Sequence, residues 1–194
     1  HNRCRRQRQM CIRDRFYGLP SSYVSSIKTQ GSRPILLDTL LDKEYSFGLF
    51  SGDNFDDTLY GETVFRGLNF TGIAFNDSTS PDTQAINAWA TWVSQQKKQP
   101  WFSFIELTTV DNFSAYNETG NNTSTLETLK QGYHTSVNNA DEELGVLFEK
   151  IKELDIGDST VIVITSNHGT EFNETKTNSC CLLYTSDAAD DTCC

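Results

Sequence analysis

Residues 165–169, Thr-Ser-Asn-His-Gly, place an amide oxygen on Asn167 beside an imidazole on His168, straight after an apolar run. Both groups can coordinate a cation, and Gly169 permits a tight turn behind them. Two ligands are too few for a metal centre, so partners would have to come from elsewhere in the chain. The same residues also suit a plain turn, with Asn and Gly making the bend and the imidazole in solvent. Other patterns carry less chemistry. Asp53, Asp56 and Asp57 lack the ligand order and closing glutamate of a calcium loop. Ser21, Ser22, Ser25 and Ser26 are not set in a Gly-x-Ser-x-Gly elbow, which makes a serine hydrolase a poor reading. His134 falls midway along a helical pattern, where a solvated position is expected.

The elements that must position these groups alternate helix and strand. Ser32 can cap a helix with Pro34 in its first turn and an apolar face of Ile35, Leu36, Thr39 and Leu40. Tyr45–Ser51 reads as a buried strand closed by the turn residues Gly52, Asp53 and Asn54. Ser80 and Pro81 open a second helix, in which Ile86, Trp89 and Val93 recur at spacings of three and four, stopping near Lys97 and Lys98 ahead of Pro100. Trp101–Thr108 is a second apolar strand. Ser124 and Glu127 suggest a capping box for the longest helix, with a stripe of Leu126, Leu129, Tyr133, Val137, Ala140, Leu144, Leu147, Ile151 and Leu154 that Gly157 and Asp158 end. Thr160–Ser166, rich in β-branched residues, reads as a third strand. Trp89, Trp92 and Trp101 are expected to pack helix on sheet rather than to form a stacking platform. Continuously apolar strands separated by helices predict an α/β domain whose mainly parallel sheet is covered by helices on both faces. Functional groups in such sheets lie just past the carboxyl ends of strands, which selects residues 51–54, 108–112 and 166–171.

The chain has 194 residues, enough for one domain, with 37% apolar and 22% charged side chains that fit a globular protein. Its formal net charge is −10, and residues 16–179 carry 10 basic against 22 acidic side chains. That balance disfavours nucleic acid, whose phosphates need a basic surface. All six cysteines lie at Cys4, Cys11, Cys180, Cys181, Cys193 and Cys194, and none has the spacing of a zinc ligand pair. A disulfide-stapled domain would not leave its whole middle free of cysteine. Residues 1–15 and 180–194 show no apolar period and look like translated sequencing-adapter read-through. They are therefore read as non-native ends around a central fragment, 16–179. The competing reading of these ends is a basic arm with a cysteine-rich metal tail. No run approaches the ~18 apolar residues of a membrane span.

Tyr133–Gly145, the helix onward to Leu154, and the run from Asp158 to Gly169 together resemble the sulfatase branch of the alkaline phosphatase superfamily. In that branch a helix patterned Y-x-x-x-v-x-x-x-D-x-x-x-G leads to a strand ending T-S-D-H-G or S-D-N-G. Upstream, FYGLPSSYVSSI and RPILLDTLLDKEYSFGLFSGDNF are similar to the periplasmic domain of gammaproteobacterial YejM-type inner-membrane sulfatase-like proteins. The resemblance spans about residues 16–178.

It implies a partial alkaline-phosphatase/sulfatase-like layered domain and, in the complete protein, a divalent metal such as Mg, Mn or Ca. The metal-binding Asp of the family turn is Asn167 here, a weaker ligand for a hard cation, and His168 could still coordinate metal or contact an anion. The family nucleophile lies just before the segment matching Phe16–Pro20, where this chain has the suspect terminal run; Cys11 lacks the C-x-P-S-R context of a formylglycine. Active sulfatases carry a histidine in the loop after the strand matching Trp101–Thr108, whereas this loop reads Thr109-Val110-Asp111-Asn112. No catalytic residue is therefore assigned, and the fragment is expected to be inactive. The resemblance implies a domain on the periplasmic face of the bacterial inner membrane, its anchor missing from this chain. It also implies a role in lipopolysaccharide and outer-membrane lipid homeostasis, through lipid or lipopolysaccharide and inner-membrane regulatory partners. The alternative is a metal-dependent sulfatase or phosphoryl transferase acting on sulfuric or phosphoric esters.

Overall fold

The computed structural model describes residues 16–19, 23–53, 63–69, 71, 73–96, 100–110, 126–166 and 172. These fall into two compact units, the first drawn from within 1–36, 59–66 and 163–194, the second from within 37–58 and 67–162. Helix α1 (Val24–Gln30) belongs to the first. There Ile27, Val64 and Phe65 are buried, and the ring of Phe16 meets that of Phe65 edge-on at 5.4 Å.

The second unit carries the sheet. Helix α2 (Ile35–Asp42) leads into strand β1 (Ser46–Ser51), and helix α3 (Pro81–Ser94) leads into β2 (Trp101–Glu106). The strands pair in parallel, with Ser46 opposite Trp101 and Ser51 opposite Glu106. A helical crossover between neighbouring strands is what parallel pairing requires. The result is the expected α/β arrangement, a parallel sheet flanked by helices. β1 is buried from Gly48 to Ser51, while β2 is half-buried along its length.

Helix α3 begins where the sequence places it. Ser80 is the N-cap, its hydroxyl accepting from the Thr83 amide at 3.0 Å, and Pro81 occupies the first turn. The helix ends at Ser94, and Lys97 and Lys98 lie outside the described residues. Its inner face, Ala85, Ile86, Trp89 and Val93, forms one core with Phe50 of β1 and with Leu147 and Ile151 of α4 (Leu126–Glu153). Burying those side chains contributes roughly 1.5–3 kcal/mol for each large one. The tryptophans pack helix on sheet as expected: Trp89 and Trp92 meet Trp101 edge-on at 6.4 and 6.3 Å, and the Trp89 indole donates to Ser103 Oγ at 3.0 Å.

Four expectations require correction. In α2 the buried position is Leu37, whereas Ile35 and Leu36 are exposed. Five apolar residues in seven gave the helix two candidate faces, and the one through Pro34 and Leu37 is buried. The α4 stripe is buried only in its second half, since Leu126 and Val137 stand in solvent and the buried positions ahead of Leu147 are Gly132, Ser136 and Glu143. Asp155, not Gly157, ends this helix: at φ 53° it supports an Ile156 N–H to Ile151 carbonyl bond at 3.3 Å and an Asp155 N–H to Lys152 carbonyl bond at 3.1 Å, a Schellman closure. Gly157 falls in the 3-10 turn that follows (Gly157–Ser159). Thr160–Ser166 is not laddered, for the sheet among the described residues has two strands. Val161 and Val163 are 92% and 81% exposed. Propensity describes how side chains suit a pleated surface, and a strand also needs a neighbour to pair with. The capping-box residue Ser124 lies outside the described residues.

Candidate functional site

The carboxyl ends of β1 and β2 meet, as the rule for parallel sheets anticipates. Ser51, buried at the end of β1, donates its hydroxyl to Glu106 Oε2 at 3.1 Å and accepts the Asp53 amide at 3.2 Å. The Gly52 amide donates to the Glu106 carbonyl at 3.2 Å and so extends the pairing one residue beyond the strands. Residues 51–53 and 108–109, two of the three places selected from the sequence, are thus brought to one edge.

What joins them is Asp82, in the first turn of α3 and fully buried. Its carboxylate accepts the Thr108 amide at 2.9 Å on both oxygens, the Thr109 amide at 2.8 Å, and the hydroxyls of Thr108 and Thr109 at 3.1 and 2.6 Å. Four donor groups and a helix N-terminus compensate a charge that would otherwise be costly to bury. This ties the loop leaving β2 to the start of α3. A Cβ on Gly52 would lie 1.8 Å from Asp82 Oδ1 and 2.8 Å from Thr108 Oγ1, so only glycine lets the β1 turn pass over the carboxylate.

A second buried acid braces the same helix start from behind. Glu143 of α4 accepts the Ser80 hydroxyl on one oxygen and the Thr83 hydroxyl, at 2.5 Å, on the other. The N-cap and N3 hydroxyls of α3 are therefore held by an acid from another helix.

Neither acid is free to serve as a ligand or a base. Asp82 and Glu143 spend their oxygens on protein donors, and among the described residues no three His, Cys, Asp or Glu side chains converge. The described residues do not fit a divalent-cation centre. Asn167 and His168 lie outside them, as do Asp56, Asp57, Asp111, Asn112, Ser21 and Ser22. His134 is exposed on α4, and Ser25 and Ser26 are exposed on α1. Among the described residues no helix is long and apolar enough to cross a membrane.

Sequence reasoning missed Asp82 and Glu143. An acid in a first helical turn is ordinary, and nothing local distinguishes Asp82. Glu143 did leave a signal: it precedes Leu147 and Ile151 by one and two helical turns, so it stands on their buried face.

The chain matches the family described as Sulfatase over residues 17–190. It is 27% identical over 162 residues to an uncharacterized protein of Haemophilus influenzae, covering 82% of this chain and 24% of that protein. It is 24% identical over 156 residues to the inner membrane protein YejM of Salmonella typhimurium, and 23% identical over 156 residues to that of Salmonella typhi. Each of these two alignments covers 79% of this chain and 24% of the relative, so the chain spans about a quarter of the length of the curated relatives it matches.

Proposed function

This chain belongs to the sulfatase family and is related to YejM-type inner-membrane proteins; from that premise we propose that it is part of a degenerate hydrolase domain that regulates lipopolysaccharide and outer-membrane lipid instead of cleaving esters. The domain stands on the periplasmic face of the inner membrane and works through contacts with lipid or lipopolysaccharide and with inner-membrane regulatory proteins. Support for the membrane setting comes from the two Salmonella relatives, each named an inner membrane protein.

The observation that carries the loss of hydrolysis is the loop after β2. Family hydrolysis needs ligands and a histidine at the sheet's carboxyl edge; here the loop begins with Thr108 and Thr109, which are fastened to Asp82, and its sequence through Asn112 has no histidine. Their donors point inward to a protein carboxylate rather than outward to an ester. In the sequence, Asn167 stands where the family turn has a metal-binding acid, so with His168 it would hold at most a weakly bound Mg, Mn or Ca ion.

The complete protein, assayed with an aryl sulfate and an aryl phosphate in Mg²⁺ or Mn²⁺, is expected to give no turnover above background. In a strain lacking the gene, His168→Ala is expected to restore lipopolysaccharide levels as well as the unmodified gene does. Metal-dependent turnover abolished by His168→Ala would overturn this reading in favour of a sulfatase or phosphoryl transferase.

A further inference from the structure

Leu126, Val137 and Phe148 of α4 are exposed, with relative exposures of 48, 39 and 46%, and they recur at intervals of eleven positions. Eleven residues make three helical turns with about 20° left over, so the three side chains form one row, about 33 Å long. Half-buried Tyr133 and Leu144 fill the gaps in it. The row lies about a quarter-turn round the helix from the buried face of Gly132, Ser136, Glu143, Leu147 and Ile151. It is a second apolar stripe, beside the one that joins the core. A long helix that carries such a stripe between charged flanks is built to meet another helix.

The stripe is symmetric about Val137. An antiparallel copy laid along it, Val137 against the partner's Val137, sets Leu126 against the partner's Phe148 and Phe148 against the partner's Leu126, the self-complementary pattern of a two-fold interface. The charges beside the row fit the same register. Asp141, exposed four positions past Val137, faces position 133 of the other copy, and the partner's Lys130 and the partner's His134 bracket that position, one helical turn apart. This contact occurs twice, and within ten positions of Val137 no two like charges stand opposite each other. A parallel copy would instead set Asp141 against the partner's Asp141 and Lys130 against the partner's Lys130, which is repulsive. We infer that a second copy of this chain docks antiparallel on α4 through Leu126, Val137 and Phe148, with Asp141 of each copy held by Lys130 and His134 of the partner subunit. The surface lies in the second unit and uses none of the residues at the carboxyl edge of the sheet.

In the purified complete protein, sedimentation is expected to show a reversible dimer. Val137→Cys is expected to give a disulfide-linked dimer on mild oxidation, because its sulfur meets that of the other copy. Glu149→Cys, exposed and about 120° round the helix from the row, is expected to give none. Asp141→Lys turns two attractions into two repulsions and is expected to weaken the dimer roughly tenfold. Adding Lys130→Glu is expected to restore most of that loss, and such rescue separates a contact between copies from a fold that has failed. A complete protein that sediments as a monomer, its stripe covered by the rest of its own chain, would overturn the surface. So would a dimer indifferent to Asp141→Lys, or one in which Val137→Cys links no faster than Glu149→Cys.

Discussion

Gly52 and Asp82 occupy space that only one side chain can fill: a Cβ on Gly52 would fall 1.8 Å from Asp82 Oδ1. Because that carboxylate is fully buried and holds the Thr108 and Thr109 amides, it cannot swing aside into solvent. Gly52→Ala is therefore expected to destabilise the complete protein by about 2–3 kcal/mol, through overpacking and weakened buried hydrogen bonds. Gly145→Ala is the contrast, since a Cβ there meets nothing within 4 Å, and it is expected to stabilise α4 by about 0.5–1 kcal/mol. Denaturant midpoints measured side by side check both signs.

Asp82→Asn keeps the shape of the side chain but turns one acceptor toward donors as an NH₂. The expected cost is about 2–4 kcal/mol. Its signature is local: hydrogen exchange should accelerate at the Thr108 and Thr109 amides more than at β1 amides such as Phe50. Uniform acceleration would mean that the carboxylate does not hold this loop in particular.

Glu143 and Ser80 should be energetically coupled, because the acid of α4 accepts from the N-cap of α3. Ser80→Ala alone is expected to cost about 1 kcal/mol as a lost cap. Glu143→Gln should cost a similar amount, since hydroxyl donors can turn to meet an amide. A double-mutant cycle is expected to give at least about 0.5 kcal/mol of coupling; additive losses would deny the brace.

Asp155 and Glu44 both hold left-handed backbone, at φ 53° and 59°, where side chains are disfavoured. Replacing Asp155 with glycine keeps the Schellman bonds and relieves that conformation, with an expected gain of up to about 1 kcal/mol. The same change at Lys152, inside α4, is expected to cost about 1 kcal/mol. Thermal midpoints of the two variants should move in opposite directions.

Elements built on local chemistry were legible in the sequence. Ser80 with Pro81 announced the start of α3, the spacing of Ile86, Trp89 and Val93 announced its inner face, and two apolar runs gave β1 and β2. Ser51, Gly52 and Thr108 accordingly lie at or just past the carboxyl ends of those strands. What failed to show depends on partners distant in sequence. Leu37 won over Ile35 because of what packs on α2, and no helical period could rank those two faces. Thr160–Ser166 has the composition of a strand, yet composition cannot supply the neighbour that makes one. Asp82 is buried because Thr108 and Thr109 arrive 26 and 27 positions later with four donors, which no local pattern around Asp82 encodes.

The parallel register also orders events in time. Ser51 and Glu106 are 55 positions apart, and β1 can find its partner only after α3 and β2 have both been made. Contacts between such distant positions form slowly, because the intervening chain must be ordered first. During synthesis Leu49 and Phe50, completely buried in the finished sheet, are therefore exposed until β2 emerges, which makes them a segment for a holding chaperone to cover in that interval.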